Sequence, residues 1–317
     1  MVNAQHIKAL PGRKTDVKDA EWIADLLRHG LVRASFVPDR PLRELRELVR
    51  HRRSLIRQRS HVVNRIQKVL EGANIKLRAV ASNVIGASGQ AMLEAMIRGR
   101  DDPTELASLA KGRLREKQSP LAEALHGLMG PPQRLMRESH SRHLDFLDAE
   151  IQRMAAAVAS PMGPFEEAIP GGGRRTAQEV LAETGPDMSR FPSSGHCASW
   201  ARICPGHNES GGKRKSGHTG EGNPWLRWAL VEAAWAASHT RNTYFSAQYH
   251  RLAAGKGSKG AVMTVAHTLP IYHMLKKGTT YQDLGGNYFD ERDPYLSVRR
   301  AVRRIERLGY RVMLEAA

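Results

Sequence analysis

Two long stretches of helical periodicity set the pattern of the chain. Across residues 41–72, Leu42, Leu45, Val49, Ile56, Val63, Ile66 and Leu70 recur as one apolar stripe. Arg43, Arg46, Arg50, Arg53, Arg57 and Arg65 lie mostly off the stripe, while Arg52 and Arg59 break it. Pro41 suits a first helical turn and Gly72 a stop. Across residues 131–159, Leu135, Leu144, Leu147, Ile151, Met154 and Val158 form a second stripe, the natural partner of the first in an antiparallel pair or coiled coil. The basic face of the first helix reads either as a solvated surface or as a surface that tracks a phosphate backbone. Between the two, short helices are expected at 91–97, 103–110 and 121–129, punctuated by Gly86, Gly89, Gly99 and Gly112, with a structural role and no chemistry of their own.

Outside this region the elements are shorter. Residues 1–10 read as the end of a strand, and a turn follows at Pro11-Gly12. An amphipathic helix then runs through Trp22, Ile23, Leu26 and Leu27, with Thr15 or Asp16 as its cap. Asp16 and Asp19 lie three apart, near one face of the helix start. Two carboxylates placed so either share a divalent metal or simply suit the positive end of the helix. Pro161 and Pro164 break the chain. Helix 165–168, the turn Pro170-Gly-Gly-Gly173 and helix 175–183, closed by Gly185, form a helix-hairpin-helix-like unit. Gly171, Gly173, Arg174 and Arg175 are its candidate phosphate grip, against the plainer reading of a structural turn.

A short helix through Cys197, Trp200 and Ala201 follows, then a Gly-rich loop, 205–221, with Ser210, Lys213, Arg214 and Lys215. Asn223 and Pro224 cap and open a helix that carries Arg227 and reads as buried from Trp225 to Ala237. Helices are expected at 244–252 and 258–275, the second kinked by Pro270. The tail, 294–317, presents Arg299, Arg300, Arg303, Arg304 and Arg307. Four segments result: 1–40, 41–160, 161–290 and 291–317.

Charge changes the picture more than composition does. The 317 residues carry a formal net charge of +17, with basic residues spread along helices and loops, which points to a polyanion, foremost nucleic acid. No long uncharged apolar run, signal peptide or lipidation motif is found, so a cytoplasmic, nucleoid-associated protein of a bacterium without a membrane partner is expected. Two cysteines cannot make a disulfide framework. His196, Cys197, Cys204 and His207 match no common zinc spacing, and zinc is not expected. No phosphate-binding loop or dinucleotide fingerprint occurs.

Taken together, the motifs resemble the DEDD transposases of the insertion-sequence family numbered one hundred and ten, related to the Piv and MooV invertases. Arg13-Lys-Thr-Asp-Val-Lys-Asp-Ala20 resembles the family's paired-aspartate motif, with His29-Gly-Leu-Val and Ser35-Phe-Val-Pro38 after it. Ile169-Pro-Gly, Ala177, Leu181-Ala-Glu183 and Gly185 resemble the opening of the C-terminal transposase domain. Pro205-Gly-His-Asn-Glu-Ser210-Gly-Gly-Lys213 resembles the loop of the family's serine. Gly222-Asn-Pro-Trp-Leu-Arg227 and residues 281–290 resemble the family's segments beyond that loop.

The resemblance implies a mainly α protein. It would carry a remnant of an RNase H-like (RuvC-like) α/β domain, a long coiled-coil pair and a helical C-terminal transposase domain. It implies that Asp16 and Asp19 are two of four acids holding magnesium, and that Ser210 attacks DNA to form a phosphoserine link. It implies a structured guide RNA and a homo-oligomer. Lys213, Arg214, Lys215 and Arg227 would steady nucleic-acid charge. Gly172, Glu221 and Pro270 depart from the usual pattern. Family members carry a further aspartate and a glutamate upstream of the paired aspartates, so an N-terminally truncated copy with an incomplete metal site is expected. The readings are a DNA recombinase, a decayed transposase that only binds DNA or RNA, and a junction nuclease, the last disfavoured by Ser210.

Overall fold

Doubled apolar positions decide how the first long helix lies. The computed structural model describes residues 16–31, 37–159, 172–204, 208–210, 213–216 and 222–315. They form two compact units, one of residues 47–161 and one of residues 1–46 with 162–317. Helix α1 spans Asp16–Arg28 and α2 spans Arg40–Gly72, its first turns in one unit and the remainder in the other. In the 47–161 unit, the buried positions of α2 include Leu55, Val62, Ile66 and Leu70, whereas Ile56 and Val63 are only half-buried. Leu55-Ile56 and Val62-Val63 each offer two apolar neighbours, so the pattern alone misplaces the stripe by one residue there.

Helices α3 (Ala87–Ile97), α4 (Pro103–Ser108) and α5 (Gln118–Ala124) lie between the long helices in sequence. Their role is structural, as core-forming helices. Met92, Leu93, Met96, Leu106, Leu121 and Leu125 sit in the middle of one core with Ile66, Leu70, Leu144 and Leu147. Asp102 caps α4, its carboxylate accepting from the amides of Thr104 and Glu105 at 3.2 and 3.3 Å. Helix α6 spans Pro131–Ala159 and buries Leu144, Leu147, Met154 and Val158. Leu135, expected on that stripe, is exposed, and Arg137 is buried in this helix instead. The Arg59 that interrupts the α2 pattern has a partner on α6: its guanidinium grips Asp148 through both carboxylate oxygens, with Nη2 3.0 Å from Oδ2.

Arg137 has Nε and Nη1 without hydrogen-bond partners among the described residues, and burial draws its pKa down. Nearby, His140 is held below the ordinary imidazole value, first by burial and then by Arg65, Arg137 and His143. A base with a lowered folded pKa takes up fewer protons when folded than when unfolded. Its contribution is therefore fully present above the unfolded value near 6.5 and is lost as pH falls through it toward the lowered folded value. Denaturant midpoints of the wild type should drop between about pH 7 and about pH 5, and His140→Gln should flatten that part of the curve. Superimposable curves for the two proteins would contradict the assignment.

The other unit is built on close helix contact. Its elements are α7 (Arg174–Thr184), α8 (Ser194–Trp200), a hairpin of β1 (Asn208–Ser210) and β2 (Lys213–Ser216), α9 (Pro224–His239), α10 (Tyr244–Thr268), α11 (Ile271–Lys277), α12 (Tyr288–Arg292) and α13 (Pro294–Glu306). Alanines make the core of α9: Ala229, Ala233, Ala234 and Ala237 are buried against Ala177 and Val180 of α7 and Val262, Val265 and Ala266 of α10. Small side chains let these backbones approach.

Gly257 interrupts α10 at φ 72° and ψ 164°, dividing it where the sequence separates two helices. Pro270 does more than kink: α10 ends at Thr268, and Pro270 begins α11 as its cap residue. Tyr272 of α11 donates its hydroxyl to the carbonyl of Phe191 at 2.9 Å. The tail helix α13 is exposed, both along its arginines and at Tyr295, Val298 and Ile305. The expected strand at 1–10, Thr15 and helix 165–168 lie outside the described residues. The described fold is mainly α-helical, with one two-stranded hairpin. None of its helices is long and apolar enough to cross a membrane.

Candidate nucleic-acid interface

The segment read as a loop forms the hairpin. β1 and β2 pair antiparallel with Ser210 opposite Lys213 and Glu209 opposite Arg214, and an irregularity follows Asn208. Gly211 and Gly212, which stand between the two strands in sequence, lie outside the described residues. Ser210 is the last residue of β1, and Lys213, Arg214 and Lys215 all belong to β2. The side chains of these four residues lie outside the described residues.

Both ends of the hairpin segment are anchored. On the incoming side, Ile203 is buried in the core. Arg202 before it holds φ 56°, a left-handed backbone uncommon for arginine. On the outgoing side, a Cβ at Gly222 would overlap the side-chain stem of Arg202, so only glycine fits that approach. Arg227 adds a brace by donating Nη2 to the Arg202 carbonyl at 2.9 Å. Asn223 caps α9, its Oδ1 accepting from the amides of Trp225 and Leu226 at 3.0 and 3.1 Å, with Pro224 at the first position as the sequence indicates.

A buried carboxylate ties this anchor to the rest of the unit. Glu183, in the last turn of α7, is 1% exposed. Its Oε2 accepts from Asn223 Nδ2 at 2.5 Å and lies 3.2 Å from Arg46 Nε. Arg46 also donates to the main-chain carbonyls of Ala182 and Glu183, at 3.2 and 2.7 Å. The arginine thus satisfies the open C-terminal carbonyls of α7 and neutralises its buried acid. Neither Glu183 nor Arg46 stands out in the sequence by chemistry. The signal was an acid amid small and apolar residues, Val180-Leu-Ala-Glu183, which buries it.

The other expected groups are spread through the same unit. Gly173 is the extended cap residue of α7, and among the described residues no side-chain hydrogen bond caps the helix start. Arg174 and Arg175 are exposed in the first turn, and Arg175 Nε lies 3.9 Å from Glu179. Gly171 lies outside the described residues. Asp16 and Asp19 occupy the first turn of α1, and their side chains too are outside the description. Of the residues weighed for zinc, His196 Nδ1 lies 2.8 Å from Ser193 Oγ and Cys204 Sγ lies 3.5 Å from His267 Nδ1. Burial pushes the Cys197 thiol up to about 11, far from a reactive thiolate. His207 lies outside the described residues.

Comparison with known proteins agrees with this layout. Residues 167–250 match the family described as Transposase IS116/IS110/IS902, and residues 1–75 match a DEDD-type IS110 transposase family. A 43.6 kDa protein of insertion element IS110 from Streptomyces coelicolor is 32% identical over 139 residues, covering 42% of this chain and 33% of that protein. A 44.8 kDa protein of insertion element IS116 from Streptomyces clavuligerus is 26% identical over 274 residues, covering 75% of this chain and 67% of that protein. The matched part of the chain thus spans about a third of the length of one relative and about two thirds of the other. Both family matches fall in order along the chain, with the hairpin inside the second, so over these two stretches the chain is similar to insertion-sequence transposases of the IS116/IS110/IS902 family.

Proposed function

We propose that the protein carries out DNA strand cleavage and rejoining for an insertion sequence, with Ser210 as nucleophile. The supporting observation is the anchored hairpin. Ser210 ends β1 opposite Lys213, on a segment fixed at Ile203 and at the cap of α9. Holding a hydroxyl in position relative to a phosphodiester lowers the entropic cost of attack.

In the reaction, Ser210 Oγ loses its proton and bonds to a backbone phosphorus. One phosphorus–oxygen bond to a deoxyribose breaks, and that oxygen leaves as a hydroxyl. Attack on the phosphoserine by a deoxyribose hydroxyl reverses these bonds and frees the serine. Lys213, Arg214 and Lys215 neutralise the charge that builds on the phosphate oxygens. Asp16 and Asp19, three apart in the first turn of α1, have the hard oxygen donors that magnesium takes, and they would hold it. Bound magnesium would polarise the scissile phosphate. Gly171, Gly173, Arg174 and Arg175 grip the phosphate backbone without reading sequence, with Arg227 holding the hairpin base. A structured guide RNA and a second copy of the chain complete the assembly.

Binding should be strongly electrostatic. Raising salt from about 50 to about 200 mM is expected to weaken duplex DNA binding roughly 10²- to 10³-fold, as for several displaced counterions. Fluorescence anisotropy with a labelled duplex measures this. A salt-independent affinity, or no binding at low salt, would remove nucleic acid as the partner.

A further inference from the structure

The surface where α9 turns into α10 carries three rings with no place in the hairpin chemistry. Trp235 is 50% exposed on an otherwise alanine-rich helix. His239, one turn on, stacks obliquely against it with ring centroids 4.3 Å apart, and its Nδ1 lies 2.8 Å from the Trp235 carbonyl. Tyr249 of α10 stands edge-on to Trp235 at 6.3 Å and lies 5.9 Å from His239. The tyrosine is packed against the core and the histidine is held by the main chain, so the tryptophan is propped in place with half its surface open.

Apart from Glu232, exposed one turn before Trp235, the charge along the chain from these rings onward is basic. From Ala233 to Gln282 the sequence contains no aspartate or glutamate, and it carries Arg241, Arg251, Lys256, Lys259, Lys276 and Lys277. Arg241 is exposed in the turn joining α9 and α10. Lys256 is exposed and follows Tyr249 by seven residues, on the same helical face about 10 Å along. A partner protein would meet this surface with carboxylates. It would gain less from a propped indole than an unpaired base would, since every base has a flat face to stack and a phosphate beside it.

We propose that Trp235, supported by His239 and Tyr249, is a stacking platform for an unpaired nucleobase, with Arg241 and Lys256 contacting the flanking phosphates. The proposal rests on the reading that nucleic acid is the partner, and it adds a site for single strands away from Ser210.

The test compares full-length wild type, Trp235→Ala, Trp235→Phe and Tyr249→Ala against a labelled single-stranded oligothymidylate and a duplex of equal length. Light scattering and thermal melts accompany each variant. Trp235→Ala should weaken single-strand binding roughly 5- to 100-fold, leave its salt slope unchanged and leave duplex binding within about twofold. Trp235→Phe should restore most of the loss, and Tyr249→Ala should lie between. If wild type binds and Trp235→Ala binds the single strand equally well, the platform is wrong while the nucleic-acid reading stands. Loss of an oligomer in Trp235→Ala with unchanged binding would assign the face to a second copy and also overturn the proposal. If wild type binds neither probe, both readings fall.

Discussion

Ser210→Ala should abolish covalent attachment to DNA while leaving binding intact. The substitution removes the hydroxyl proposed to bond to phosphorus, and the anchor residues lie elsewhere in the chain. Ile203 stays buried, Asn223 still caps α9, and Arg227 still braces Arg202. Covalent adduct should fall by at least about 10³-fold, the scale of losing a nucleophile with no substitute. Affinity for duplex DNA should change less than about twofold, since one neutral hydroxyl releases no counterion. Ser216→Ala, on the partner strand, is the matched control and should behave as wild type.

Glu183→Ala should be among the most damaging single changes to the fold. The carboxylate is buried and serves both Arg46 and Asn223. Its removal takes the opposite charge from the Arg46 guanidinium, only 15% exposed, and the side-chain acceptor from the Asn223 amide. Breaking a buried ion pair by deleting one partner costs about 3–5 kcal/mol. In a unit of this size that lowers the melting temperature by roughly 6–20 °C. Glu183→Gln keeps an acceptor for Asn223 and loses the charge facing Arg46, so its effect should be smaller. A thermal melt that ranks Gln as worse than Ala would contradict this account of the site.

Much of this architecture was legible from local chemistry. Asn223-Pro224 cap and open α9, Gly185 ends α7, and the break at Gly257 falls between two anticipated helices. These signals are local, so nearby residues suffice to read them. The features the sequence concealed depend on distant partners. Arg59 looks like an interruption until Asp148 is placed opposite it, 89 residues on. Leu135 is apolar at the right spacing, yet nothing in the unit covers it among the described residues. The helix through Trp225 and Ala237 reads as buried, yet Trp235 on it is 50% exposed. The loop around Ser210 hid a hairpin because Lys213-Arg-Lys-Ser216 lacks the alternation of a half-buried strand. Glu183 marked a motif, while its role as the tie between α7, α9 and Arg46 needed the structure.

The most direct measurement is covalent capture followed by mass spectrometry. The full-length protein is incubated with magnesium, guide RNA and DNA carrying the element junction, then denatured and digested. The account predicts a nucleotide-bearing peptide with phosphate on Ser210, absent from Ser210→Ala and present in Ser216→Ala. A phosphate link at any other residue, or an adduct that survives Ser210→Ala, would contradict it.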